Sequence, residues 1–484
     1  MQFLGKDIGA NLIGGVWGQA SDGATFAVTD PATGSTLGHV PSATADDTAR
    51  AIDAAYAAFL KYREDPVSAR AEKLRRLSAL ISQHQEALAR IMTAEQGKPL
   101  PEARAEVASS AAYVLWFAEE ARRSMGDVIP SPWAGRKLMT TRHPIGVVAA
   151  ITPWNFPSSM LARKIGPALA AGCCVVVKPA SATPYSALVW GVLVEMAGFP
   201  AGAVNIVTGS ARVIAGELTR NPKVRKLTFT GSTEVGKMLI RDCADTVKKV
   251  SMELGGNAPF IVFDDADLDR AIDGAMIAKF RNAGQTCICS NRIFVQSGIH
   301  DAFVARLVAR TEKMVVGPGA QDGVEIGPMI DDAAVEKTQG LIDDAVSGGA
   351  SVLTGGGRHP QGGCFFKPTV VAGATPAMRI AQEEIFGPVA AIYRFETEEE
   401  LIAQANDSTY GLAAYVYTRD LGRTFRMQDA LEYGLIGVNE VLIVTPEVPF
   451  GGLKESGLGK EGGWQGLEDF LETKYTCIGG LQAQ

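Results

Sequence analysis

Cys287 closes the run Phe280-Arg281-Asn282-Ala283-Gly284-Gln285-Thr286-Cys287, where small and polar neighbours allow a reactant to come close. Upstream, Glu253 precedes two glycines in Glu253-Leu254-Gly255-Gly256-Asn257, so its carboxylate stands on backbone that can swing. A thiol is a strong nucleophile once local donors lower its pKa, and a carboxylate within hydrogen-bond reach can draw a proton from an attacking water. Asn155, in Thr152-Pro153-Trp154-Asn155-Phe156-Pro157, can offer an amide N–H to a developing oxyanion, with two prolines stiffening the turn. The run Phe229-Thr230-Gly231-Ser232 reads as strand, tight turn and helix start, a place that favours an anionic group. Lys178 and Ser181, in Val177-Lys178-Pro179-Ala180-Ser181, suit ribose hydroxyls and a 2′-phosphate. Taken singly, each has a plainer reading: a buried Cys is a small hydrophobe, Asn155 a turn residue, Ser232 a helix cap. Together they point to a nucleotide-linked cysteine enzyme.

The elements that must position these residues follow two patterns. Residues 11 to 40 hold short alternating runs around the turn Asp30-Pro31-Ala32-Thr33-Gly34, a hairpin signal. One helix opens near Thr44, with Ile52, Ala55, Tyr56 and Phe59 on one face; a second runs from about Ser68 to a stop near Gly97-Lys98-Pro99; a third covers about Pro101 to Met125. The Gly/Pro-rich break 126–135 and the basic run Arg136 to His143 could carry a hairpin leaving the main body. From residue 145, apolar strands alternate with helices: Ile145 to Ile151, Cys174 to Lys178, Ala203 to Val207, Lys226 to Phe229 and Ala258 to Phe263. Such Val/Ile-rich strands predict a parallel sheet covered on both faces.

With 484 residues, 46% hydrophobic and 20% charged, the chain can form two or three domains with sizeable cores. A net charge of -7 and scattered Lys and Arg argue against a nucleic-acid or anionic-membrane partner. The seven cysteines form no C-x-x-C pair and no zinc-spaced cluster with the five histidines. No metal, no membrane span and no leader are expected, and the chain reads as cytoplasmic with reduced thiols. The dinucleotide fingerprint G-x-G-x-x-G is absent from the strand–helix turn at Gly231.

From about residue 10 to 480 the chain resembles the aldehyde dehydrogenase superfamily. The likeness rests on the runs already quoted around Asn155, Ser232, Glu253 and Cys287. Glu383-Glu384-Ile385-Phe386-Gly387-Pro388 and Pro449-Phe450-Gly451-Gly452 add to it, in the same order. The resemblance implies an α/β fold with a doubly wound NAD(P)-binding domain (1–121 and 143–253) and an α/β catalytic domain (254–465). A small β oligomerisation segment (122–142 and 466–484) would form homodimers or homotetramers. It implies Cys287 as nucleophile, Asn155 with the Cys287 N–H as oxyanion site, hydride transfer to a nicotinamide, and Glu253 as deacylating base giving a free acid. Trp154, Lys178, Ser181, Gly209, Ser232, Glu384 and Phe386 would contact NADP or NAD. The missing acidic residue after Val177 permits NADP without excluding NAD. The loop Gln285-Thr286-Cys287 and Glu253 would be the mobile elements.

Within the superfamily the closer resemblance is to succinate-semialdehyde dehydrogenases, carried by Met160 to Cys173, Lys279 to Cys289 and Glu472 to Gly479. It implies an anionic aldehyde held by Arg163 and Arg281, whose guanidinium forks suit a carboxylate, with Phe450 beside them. Val444 stands where a third ligand, a Ser hydroxyl, is expected, a loss of roughly 1.5–3 kcal/mol if nothing replaces it. Glutarate semialdehyde, a sulfonated aldehyde or an aromatic aldehyde are therefore alternatives to succinate semialdehyde. By the same likeness Cys289 would be a redox partner for Cys287, the alternative being a spectator thiol. Two other classes stay open here: a cysteine esterase using the same thiol without cofactor, and a protein that keeps the fold without turnover.

Overall fold

The computed structural model describes residues 1–481; the end of the expected oligomerisation segment, 482–484, lies outside the described residues. An eight-stranded sheet runs in the order Gly457–Leu458, Lys249–Glu253, Val224–Thr230, Val147–Ile151, Cys174–Lys178, Val204–Ile206, Asn11–Ile13, Val16–Gly18. The five strands from Lys249–Glu253 to Val204–Ile206 are mutually parallel, and the flanking pairs are antiparallel. Val147–Ile151 and Cys174–Lys178 are buried at every position, as strands with helices on both faces must be. The helix Ala45–Tyr62 starts where Thr44 and Asp47 form a reciprocal capping box. It buries Ile52, Ala55 and Phe59 but leaves Tyr56 exposed, at the edge of the apolar stripe.

The second sheet has seven strands: Ser351–Thr354, Thr369–Ala372, Val389–Phe395, Ser290–Gln296, Ala258–Val262, Ala413–Tyr417 and Leu435–Val438. All but the first pairing are parallel. Two apolar clusters cover its faces, and a separate, larger one surrounds the first sheet. A third sheet pairs Leu471–Ile478 antiparallel with Lys137–Pro144 along eight positions, with Val128–Ile129 beside it. Beyond Leu471 every residue of that last strand is exposed.

Three differences from the sequence reading bear on the site. The stretch from Ser68 to Gly97 is two helices, Val67–Gln83 and Gln85–Gln96, broken at His84. Lys249–Glu253 is a strand that no apolar run announced, and it carries Glu253 at its carboxyl end. Gly457–Leu458, far along the chain, returns to the first sheet and pairs with Met252 and Glu253. Among the described residues no helix is long and apolar enough to cross a membrane, and no group of three or more His, Cys, Asp or Glu could hold a metal ion.

Candidate active site

Two cavities meet at Cys287. The larger, about 970 Å³, is walled by Phe156, Met160, Arg163, Arg281, Val444 and Phe450 together with Cys287. The smaller, about 260 Å³, is walled by Trp154, Asn155, Ser232, Glu384 and Phe386, again with Cys287. A thiol shared by two cavities can react with a molecule in one while a second molecule in the other receives what is released.

The turn before Cys287 is left-handed at three consecutive residues, Asn282 (φ 52°), Ala283 (φ 54°) and Gly284 (φ 73°). A side chain at Gly284 would bring a Cβ within 2.2 Å of the Gly387 carbonyl oxygen. Non-glycine residues persist in this region only where their surroundings hold them. Asn282 Nδ2 donates to the carbonyls of Asn155 (3.1 Å) and Gln285 (3.2 Å), and its backbone N–H donates to Glu102 (2.9 Å). Gln285 Nε2 donates to the Asn282 carbonyl at 3.1 Å, while its Oε1 accepts from the Ile330 N–H at 2.9 Å. The loop expected to be mobile is thus anchored on both sides of Gln285. Asn155 Nδ2 donates to the Gln285 carbonyl at 3.0 Å, which leaves its second N–H for another acceptor.

A profile of the aldehyde dehydrogenase family matches residues 17–476. The chain belongs to this family. It is 54% identical over 470 residues to the 3-sulfolactaldehyde dehydrogenase of Pseudomonas putida, with 97% of each chain covered. It is 53% identical over 468 residues to GabD, an NADP(+) succinate-semialdehyde dehydrogenase of Escherichia coli (strain K12), again with 97% of each covered. A crystal structure described as an E. coli NADP dependent enzyme superposes with a TM-score of 0.96 at 53% identity, over 97% of this chain and 98% of that one.

In this aldehyde dehydrogenase Cys287 rests as a thiol. Burial, then the neighbouring Glu384 and Glu253 carboxylates, push its pKa up to about 12, against the pull of Arg163. Glu253 is buried, and its Oε2 has no hydrogen-bond partner. Its carboxyl belongs to the wall of neither cavity; it packs against Gly451, where an added Cβ would stand 2.9 Å from Oε1. Burial and the adjacent Glu461 hold it well above the usual carboxylate range, opposed by Lys164, Lys460 and Arg163. Lys164, fully buried, bonds both Glu461 and the Thr230 hydroxyl. Arg163 lies between the rings of Tyr113 (4.6 Å) and Phe450 (4.7 Å), with Nη1 3.8 Å from Glu461 Oε2 and with Nε and Nη1 unbonded. Arg281 is exposed at the larger cavity, over the ring of Phe156 at 5.3 Å.

The residues named for a dinucleotide fall into two groups. Trp154 and Phe386 meet edge to face at 5.6 Å, and Glu384 Oε1 accepts the Gly256 N–H at 3.0 Å. Burial lifts Glu384 to about 7. Ser232 caps the helix Thr233–Ala244 through the Val235 N–H. Lys178 ends its strand, with the register partner Ile151 leading directly to the Asn155 turn. Ser181 donates to the Gly209 carbonyl at 3.4 Å. Lys178, Ser181 and Gly209 stand beyond the smaller cavity's wall, at the carboxyl edge of the first sheet. Burial lowers Lys178 to about 8. Lys178 thus stands at the carboxyl edge of the first sheet and Glu384 in the wall of the smaller cavity.

Cys289 is buried, with Sγ 3.2 Å from Lys279 Nζ, and walls neither cavity. Pairing with Cys287 requires it to leave that lysine. Sequence reasoning missed Tyr113, Lys164 and Glu461, which reach the site by tertiary packing, and Lys98, which read only as part of a helix stop.

Proposed function

We propose that this dehydrogenase oxidises a small aldehyde bearing a distal anion to the carboxylic acid, using NADP or NAD. The observation that carries the reading is Arg163: a buried guanidinium with two unbonded nitrogens, in the wall that also holds Cys287. Nη1 has only the ion pair with Glu461 at 3.8 Å and Nε has no acceptor, and a substrate anion in the cavity would give the guanidinium a closer partner. Arg281 adds a second cation to the same cavity. The relatives named for 3-sulfolactaldehyde and succinate semialdehyde, both acid-bearing aldehydes, support it.

In this reading Cys287 gives up its thiol proton to water in the cavity, its thiolate Sγ adds to the carbonyl carbon, and the resulting oxyanion is received by the second Asn155 N–H and the Cys287 backbone N–H. Trp154, Glu384 and Phe386, which wall the smaller cavity, would hold the nicotinamide end of the cofactor, which would accept the hydride as the thiohemiacetal becomes the thioester. Glu253 takes the proton of the attacking water, and the acid leaves. Burial and Glu461 hold the Glu253 pKa above the usual carboxylate range, so its ionised fraction, and with it deacylation, increases as pH rises.

Val444 presents an apolar surface where a hydroxyl was expected, and Thr445 does not wall the cavity; its backbone carbonyl accepts the Tyr113 hydroxyl at 3.3 Å. An anionic aldehyde that lays an apolar segment against that wall suits it, with glutarate semialdehyde and a sulfonated aldehyde beside succinate semialdehyde as candidates. The test is kcat/KM for succinate semialdehyde, glutarate semialdehyde, a sulfonated aldehyde and neutral aldehydes of equal length, with each cofactor. A preference of about a hundredfold for an anionic member, equivalent to about 2.7 kcal/mol, is expected; a flat profile overturns the reading. The same reading assigns 1–121 with 143–253 to the cofactor domain and 254–465 to the catalytic domain. It makes the three-stranded sheet the site of dimer or tetramer formation in the cytoplasm.

A further inference from the structure

Lys98 walls neither cavity, yet it holds both sides of the reaction centre. Its side chain is wholly buried. Nζ donates to the Asn155 carbonyl at 2.7 Å, pairs with Glu106 Oε2 and lies 4.0 Å from the centre of the Phe156 ring. The other oxygen of Glu106 accepts the backbone N–H groups of Ser158 (2.9 Å) and Ser159 (3.1 Å), at the start of the helix that carries Arg163. Gln96 Oε1 accepts the Lys98 N–H at 2.9 Å, and Gln96 Nε2 donates to Asn282 Oδ1 at 3.0 Å. Glu102 accepts the Asn282 N–H. The segment 96–106 therefore grips the Asn155 turn with one set of bonds and the left-handed turn before Cys287 with another.

A buried ammonium–carboxylate pair is a poor way to gain stability, because desolvating both ions offsets most of their attraction. What such a pair does well is fix direction. The Asn155 carbonyl receives two donors, Lys98 Nζ and Asn282 Nδ2, one from each side of the centre. These two bonds fix the backbone from which the Asn155 side chain projects, and the amide itself is then oriented by the Phe156 N–H on Oδ1 (3.1 Å) and the Gln285 carbonyl on Nδ2 (3.0 Å). Oxyanion stabilisation depends on donors already aimed, since misplacement of a few tenths of an ångström weakens them.

We propose that Lys98 is a positioning residue: through the Asn155 carbonyl it sets the Asn155 amide in the orientation that receives the oxyanion. The proposal rests on the oxyanion role given to Asn155 above. Its test is a double-mutant cycle, read as the single-turnover rate of reduced-cofactor formation at saturating aldehyde. Lys98→Met is made together with Glu106→Gln, so that no unpaired charge is buried and the amide oxygen still accepts from Ser158 and Ser159. The rate should fall about tenfold or more beside the native Asn155, yet change less than about twofold in the Asn155→Ala background, with cofactor Kd unaltered in both. An equal loss in the two backgrounds, or no loss beside Asn155, overturns the proposal and makes Lys98 merely structural. A full rate in Asn155→Ala alone overturns the oxyanion reading, and this proposal with it. Should the neutral pair fail to fold, Lys98→Arg keeps the cation against Glu106 while moving its donors, and the same cycle decides.

Discussion

The Cys287 thiol is held at a raised pKa, and the groups responsible can be separated. Its high pKa comes first from burial and next from Glu384. A thiol titrating near 12 gains thiolate about tenfold per pH unit, so alkylation of the cofactor-free enzyme by iodoacetamide should climb without a plateau between about pH 7 and 10. Glu384→Gln removes a raising charge and should move that curve to lower pH; an unmoved curve would leave the shift to burial and the remaining carboxylates. At the other end of the cavity, Arg281→Ala should raise KM for an anionic aldehyde far more than for a neutral one of equal length. Equal losses would refute its role as anchor. Val444→Ser, which offers a hydroxyl to the anion, should improve kcat/KM for succinate semialdehyde over the neutral analogue by about tenfold, or roughly 1.5 kcal/mol. Thr445→Val should leave that ratio unchanged, since its side chain walls neither cavity.

The turn 281–287 is where a local element and its surroundings depend on each other most. Gly284→Ala places a Cβ against the Gly387 carbonyl at a backbone angle that alanine disfavours. We expect a Tm lower by several degrees and a single-turnover rate lower by more than about tenfold, while a protein of native Tm and rate would show the turn to be slack. This turn also marks how far sequence pattern carries. Cys174–Lys178 and the Thr44-capped helix announce themselves, because an apolar run and a capping residue are local signals. Lys249–Glu253 does not, since its residues Lys-Val-Ser-Met-Glu form no apolar run and its register comes from neighbouring strands. Cys287, Asn155 and Arg163 were legible through their motifs. The clasp at Lys98 and the Glu461–Lys164 pair were not, for each partner comes from a distant part of the chain and is met only after packing.

At the scale of the whole molecule, the two expected ends of the cofactor site belong to different sheets. Lys178 ends a strand of the first sheet; Glu384 follows the helix Arg379–Gln382, packed against the second. A ligand that engages both ends binds only the assembled protein, so saturating cofactor should raise Tm, by RT ln(1 + [L]/Kd) in free energy. As proposed cofactor contacts, the two side chains should set the pH window of that binding. Burial raises Glu384 to about 7, so below this pH it is neutral and is a weaker acceptor for ribose hydroxyls. Burial lowers Lys178 to about 8, so above this pH it is neutral and no longer attracts a 2′-phosphate. NADP affinity, followed by the quenching of Trp154 in the cavity wall, should therefore be greatest between about pH 7 and 8 and fall on both sides. NAD should keep the acidic limb and lose most of the alkaline one, because it has no 2′-phosphate for the lysine charge to attract. Glu384→Gln should abolish the first limb and Lys178→Met the second. Identical profiles for the two cofactors would place the 2′-phosphate away from Lys178 and return the choice of cofactor to Ser181 and its neighbours.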